Sequence, residues 1–283
     1  MTIWSSDAAH PVEPKPGPLG LLRLVLRGLV LGLVVITGLL LLLLVRVVEA
    51  PLAAPGRPVS PWITQGVCRL AFVILRLPVS HRGARMTGPG AIVANHASWL
   101  DVFALNSGDR VYFIAKAEVA GWPLIGWLAR ATGTLFVARD RSAAKAQAAL
   151  FRDRLMAGHR LLFFPEGTST DGQRVLAFKT TLFEAFFDDA LRHNMQVQPV
   201  TLIYHPPPGE DVRTYGWWGD MSFGGHLLGV LARGRQGRVE VIWHRPLPVD
   251  GFPNRKTLAR ALEAVVRGAH PQGRSEVGGG GTG

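Results

Sequence analysis

The run AIVANHASWLD, Ala91 to Asp101, decides the fold. Ala91 to Ala94 are small or β-branched and apolar without alternation, the pattern of a strand covered on both faces. Asn95 and His96 leave that strand, and Ser98 opens a helix. The spacing Ser98-Trp99-Leu100-Asp101 fits a capping box, in which Ser98 caps the helix and Asp101 serves its N-terminus. On a continuous helix His96 and Asp101 would stand about 140° apart, at about 100° per residue, and could not share a face. A turn at His96 removes that bar, because the imidazole can then fold back onto the carboxylate. Such a pair is either a structural hydrogen bond or a base with its orienting acid, and these residues alone leave both readings open.

Outward from this run, short apolar stretches alternate with helical patterns. Val111 to Ala115, Leu135 to Val137, Leu161 to Phe164, Val197 to Tyr204 and Val239 to Trp243 read as further strands. Ser142 to Met156 reads as a helix with Ser142 at its N-cap and Gly158 near its stop. This alternation predicts an α/β domain with a mostly parallel sheet, in which ligands gather where strands end and helices begin. Two more strand exits carry polar chemistry. Phe163-Phe164-Pro165 breaks into Glu166-Gly167-Thr168-Ser169-Thr170-Asp171-Gly172, which reads either as a ligand loop or as an ordinary turn rich in turn formers. Leu135-Phe136-Val137-Ala138 delivers Arg139, whose planar fork suits phosphate but which could equally be a solvated surface charge.

The 31 basic residues exceed the 20 acidic ones, giving a net charge of +11. That excess predicts attraction to anionic lipid or polyphosphate. It carries no compact Lys/Arg run and no interleaved aromatics, so nucleic acid is not an expected partner. The lone Cys68 excludes an internal disulfide framework. No His or Cys cluster at ligand spacing completes a metal site around His96 and Asp101, and neither metal nor cofactor is expected.

Gly28 to Val45 carries no charge and only Thr37 as a polar side chain. As a helix it is roughly 27 Å long, close to the roughly 30 Å hydrocarbon core of a bilayer. It reads as a membrane helix with Arg23, Arg27 and Arg46 near the interfaces. A cleaved signal peptide competes, but the stretch exceeds a usual signal core and Glu49 sits where cleavage prefers small neutral residues. Positive charge on both flanks gives no orientation. A helix that enters and returns would leave both flanks cytoplasmic, with Trp62 to Leu77 as an amphipathic partner helix. The expected organisation is a disordered tail over 1–18, membrane-anchoring helices and a Pro-rich linker over 19–77, the α/β domain over 78–270 and a flexible Gly-rich tail over 271–283.

Together, Asn95-His96-Ala97-Ser98-Trp99-Leu100-Asp101 and Phe164-Pro165-Glu166-Gly167-Thr168 resemble the N-H-x4-D and F-P-E-G-T boxes of the glycerophospholipid acyltransferase family. Leu135 to Arg139 and Val197-Gln198-Pro199-Val200-Thr201 resemble its other two blocks, in family order. The resemblance covers roughly Val79 to Tyr204. It implies a glycerol-3-phosphate-acyltransferase-like domain that moves a fatty acyl group from acyl-CoA or acyl carrier protein, as co-substrate, to the free hydroxyl of a lysolipid. It implies His96 as general base, Asp101 as its orienting partner, and no acyl-enzyme on Ser98. It also implies Arg139, Glu166, Gly167 and Thr168 as acceptor-binding residues, with Lys116 and Lys179 behind them. Backbone N–H groups near the helix start would serve the oxyanion.

The first acceptor expected is 1-acyl-sn-glycerol-3-phosphate, giving phosphatidic acid in phospholipid biosynthesis. Many family members that use it continue E-G-T with arginine and serine, whereas this chain has Ser169 and Thr170. The run Glu166 to Gly172, with Phe178-Lys179 and Trp218-Gly219-Asp220-Met221, resembles the branch that includes bacterial lyso-ornithine lipid acyltransferases, the alternative reading. A non-catalytic, membrane-anchored lipid-binding protein is the alternative of another class. The expected location is the bacterial inner membrane with the site facing the cytoplasm.

Overall fold

The computed structural model describes residues 4–6, 9–11, 15–53, 56–88, 90–138 and 144–272. Its first helix, α1 (Pro18–Ala53), extends the expected apolar span at both ends. Pro51 sits inside its last turn, where it removes one i→i−4 hydrogen bond near the helix end. The helix therefore runs past the start of the expected linker. Only 6% of its most apolar window is buried. It is the one helix among the described residues long and apolar enough to cross a membrane. Helix α2 (Ser60–Leu75) packs back on α1. Gly38 permits their close approach, since a Cβ there would fall 2.3 Å from a Val67 methyl. α2 buries Cys68, Phe72 and Leu75 toward the domain and leaves Trp62, Leu70 and Val73 exposed.

The domain begins with strands β1 (Val79–Arg82) and β2 (Gly90–Ala94), then helix α3 (Leu100–Gly108) and β3 (Tyr112–Lys116). Helix α4 (Ile125–Ala131), β4 (Leu135–Val137), α5 (Ala144–Met156) and β5 (Leu161–Phe163) follow. The short α6 (Asp189–Arg192) leads to the long β6 (Gln196–His205), α7 (Phe223–Ala232), β7 (Arg238–Trp243), β8 (Leu247–Pro248) and α8 (Arg255–Ala269). Ser142, expected as the cap of α5, lies outside the described residues.

The strands form one sheet in the order β1-β7-β6-β2-β5-β3-β4, with β8 paired to β6. β2 pairs in parallel with β5 on one side and β6 on the other. The β6–β7 and β6–β8 pairs are antiparallel, so the sheet is mostly but not wholly parallel. One face packs Ile92 against Leu100 and Leu105 of α3, Val230 and Leu231 of α7, and Phe72 and Leu75 of α2. The other packs Ala91 and Val93 against Phe151 and Leu155 of α5 and Leu258 and Leu262 of α8. Coverage on both faces is why the β2 run lacks polar alternation.

Candidate active site

The C-terminal ends of the adjacent strands β5, β2 and β6 converge here. Asn95 extends β2 with its side chain: its amide donates to Leu202 O at 2.9 Å and its carbonyl accepts from Leu202 N at 2.8 Å. This pins the turn on which His96 leaves the sheet. His96 Nδ1 meets Asp101 Oδ2 at 2.7 Å across the turn before α3. The same oxygen accepts from Ala97 N at 2.8 Å and Ser98 N at 3.0 Å. Asp101 Oδ1 accepts from the Tyr204 hydroxyl at 2.6 Å. A carboxylate only accepts, so Nδ1 carries the ring proton and Nε2 presents a lone pair. The Asp101 side chain is fully buried, while that of His96 is 19% exposed. Phe164 stacks flat on the imidazole, with centroids 4.0 Å apart and planes 10° apart, and fixes its tilt.

Capping and pairing are thus done by one carboxylate. Asp101 reaches back to Ser98 N as a capping box requires, and it also holds His96. Ser98 is fully buried and its hydroxyl accepts from Leu100 N at a long 3.4 Å. The Ala97 and Ser98 N–H groups are committed to Asp101, so these N–H groups at the helix start do not face an oxyanion.

Glu166 is 1% exposed. Its Oε1 accepts from His96 N and its Oε2 from Leu176 N, both at 2.7 Å, so it ties the β2 and β5 exit loops together. Burial pushes its carboxyl up to about 8, against the pull of those two backbone N–H groups. Thr170 fastens the same junction, donating through N and Oγ1 to His96 O. Gly167 takes φ +71°, and a Cβ there would meet Lys179 Nζ at 2.7 Å; glycine meets both demands. Lys179 is exposed beside it, and its N–H donates to Pro165 O. Thr168 Oγ1 accepts from Trp4 N at 3.3 Å, and His10 pairs with Asp220 at 2.9 Å, so described parts of segment 1–18 rest beside this loop.

His96, Asp101 and Glu166 are therefore brought together, with Gly167, Thr168 and Lys179 on the adjoining loop. Lys116 ends β3, two strands from β2 at the same sheet edge. Arg139 lies outside the described residues. Reading the sequence missed Asn95 and Tyr204 as supports of the site. The Asn95 signal lay in the box itself, whereas Tyr204, 103 positions from Asp101, had no local signal. Trp217 N donates to Ala97 O, and its ring meets Trp122 and Phe223 edge to face, which sets an aromatic wall next to the histidine turn.

Residues 78–203 match the family model described as Acyltransferase. The chain is 56% identical over 265 residues to the "Lyso-ornithine lipid O-acyltransferase" of Rhodobacter capsulatus, covering 94% of this chain and 96% of that one. The chain belongs to the acyltransferase family. A Brucella abortus relative of the same name is 39% identical over 63% of this chain and 70% of its own length. The "1-acyl-sn-glycerol-3-phosphate acyltransferase" of Neisseria gonorrhoeae is 31% identical over 52% of this chain and 57% of its own. The crystal structure of the "1-acyl-sn-glycerophosphate (LPA) acyltransferase, PlsC" of Thermotoga maritima superposes with a TM-score of 0.55 at 19% identity, over 91% of this chain and 100% of that one. That likeness shows the fold alone. The expectation of 1-acyl-sn-glycerol-3-phosphate as first acceptor is overturned, because the Rhodobacter relative named for lyso-ornithine lipid matches 94% of the chain at 56% identity, against 52% at 31% for the Neisseria relative named for the glycerol phosphate.

Proposed function

We propose that this acyltransferase is a membrane-bound lyso-ornithine lipid O-acyltransferase, which transfers a fatty acyl group from acyl-CoA or acyl carrier protein to the free hydroxyl of the lysolipid. The observation that carries the reaction is the locked tautomer of His96, whose Nδ1 is held by buried Asp101 while Nε2 has no hydrogen-bond partner among the described residues. In this reading Nε2 takes the hydroxyl proton as the oxygen attacks the thioester carbonyl, and Asp101 stabilises the imidazolium that forms. The proton then passes to the departing thiolate, and no acyl-enzyme intervenes. Glu166 is a positioning residue, since both its oxygens are occupied by backbone donors. Gly167, Thr168 and Lys179, with Lys116 further along the edge, form the acceptor rim, and Arg139 is assigned to acceptor binding from the sequence alone.

The acceptor follows from the similarity to acyltransferases of that name and from Ser169, which stands where many family members that use 1-acyl-sn-glycerol-3-phosphate carry arginine. An acyl donor made in the cytoplasm requires the site to face it, and the apolar α1 holds the enzyme at the bacterial inner membrane. Purified full-length protein is to be offered labelled palmitoyl donors on both carriers, with lyso-ornithine lipid and 1-acyl-sn-glycerol-3-phosphate in parallel. Ornithine lipid as the main product supports the assignment; a faster reaction with the glycerol phosphate acceptor defeats it.

A further inference from the structure

At the opposite edge of the sheet from His96, a pocket of about 380 Å³ opens between the α1–α2 linker, the entry to β3 and the turn before β5. Arg57, Arg110 and Arg160 line it, with Tyr112, His159 and Trp62. Tyr112 is the first residue of β3 and Arg160 precedes β5, whereas His96 follows the last residue of the parallel strand β2. The pocket is thus separate from the acceptor rim.

Its cations are short of acidic partners. Arg160 pairs with Asp109 at 2.7 Å. Among the described residues no carboxylate pairs with Arg57 or Arg110: Arg57 donates to Ala131 O at 3.2 Å, and Arg110 lies 3.8 Å over the Trp62 ring. Arg154, just behind, donates through Nε to His159 Nδ1 at 2.6 Å. Burial, followed by the charge of Arg57, lowers Arg154 to about 10. The bond from Arg154 places the His159 proton on Nε2. That N–H is buried and, among the described residues, has no partner. His159 itself is 6% exposed. An orphaned buried donor beside Arg57 and Arg110, which have no carboxylate partner among the described residues, is a feature that a bound oxyanion would satisfy.

We propose that this pocket binds a phosphate-type oxyanion, supplied by the headgroup of an anionic phospholipid or by a soluble phosphate. The lipid source has a geometric basis. The apolar α1 ends at Ala53, three residues before Gly56 of the pocket, and Trp62 in its lining is 57% exposed. Arginine pockets at the ends of membrane helices take phospholipid headgroups.

The test uses the full chain in uncharged detergent micelles, titrated in one arm with labelled inorganic phosphate and in another with labelled phosphatidylglycerol, with phosphatidylcholine as control. Saturable binding in either arm, weakened at least about ten-fold in the R57Q/R110Q double variant and retained in R57K/R110K, supports the site; the responding arm identifies the source. If the double variant does not fold, R110Q alone is compared, because the Arg110 side chain lies over the face of Trp62 and makes no hydrogen bond or ion pair among the described residues. Absence of saturable binding in both arms, or equal binding in a folded glutamine variant, overturns the proposal. Binding is read without acyl transfer, so failure of the acyltransferase assignment leaves this test intact.

Discussion

A single carboxylate carries the histidine turn, the start of α3 and the hydroxyl of β6, so the account makes its sharpest predictions at Asp101. Asp101→Asn turns an NH2 toward groups that are themselves donors and no longer fixes the His96 proton on Nδ1. Turnover should fall about 10²- to 10⁴-fold, measured by steady-state acyl transfer. Tyr204→Phe removes one donor from the buried carboxylate. Because Tyr204 touches Asp101 and faces no substrate, kcat should drop about ten-fold, for about 1.4 kcal/mol, with KM unchanged. A rise in KM alone would move Tyr204 from positioning to binding. For Glu166 the sign follows from its raised value of about 8. The folded protein holds that proton between about pH 4.5 and 8 while the unfolded chain has lost it, so this group makes stability fall as pH rises through that window. Glu166→Gln cannot titrate and leaves one backbone N–H without its acceptor, at a cost of about 1–3 kcal/mol. The gap in unfolding midpoint between wild type and E166Q should therefore be widest near pH 5 and narrow toward pH 8. A gap that widens with pH would contradict the protonated carboxyl.

The elements show what a single sequence reveals about this site and what it hides. β2 to β7 were legible because each is an apolar run, and the mostly parallel sheet followed from their alternation with helices. β1 was not. Val79-Ser80-His81-Arg82 is a short edge strand, partly exposed throughout, and its polar residues carry no core signal. β8 is two residues long and equally silent. The His96–Asp101 pair was legible from its spacing, since a turn joins residues five apart, but Tyr204 reaches Asp101 only because β6 runs beside β2 and beyond its end. Arg27 shows the same limit: placed at a membrane interface from sequence, it donates to Leu231 O and Arg233 O at the end of α7. A cation there complements the exposed carbonyls and stabilises by about 0.3–1 kcal/mol. Arg27→Ala should speed amide hydrogen exchange in α7 and leave β2 protected; unchanged exchange in α7 would show that the contact contributes nothing.

For the whole molecule, the anchor and the chemistry belong together. The acceptor and product of a lysolipid acyltransferase both reside in a bilayer, and the apolar α1 is suited to anchor the chain there. Two forces attract this chain to membranes, its apolar helix and its charge of +11. They separate by salt, because about 1 M salt shortens the screening length to about 3 Å while apolar insertion persists. The full-length protein should stay with the membrane fraction in high salt and leave it only with detergent. Release by salt alone would make it a surface-bound protein.

The account rests most directly on His96. Wild type and His96→Ala, both shown folded by their unfolding midpoints, are to be compared for transfer of labelled palmitate to lyso-ornithine lipid in the same micelles. The account predicts product from wild type and a rate at least about 10²-fold lower in the variant. A folded variant that acylates the lysolipid at the wild-type rate would contradict it.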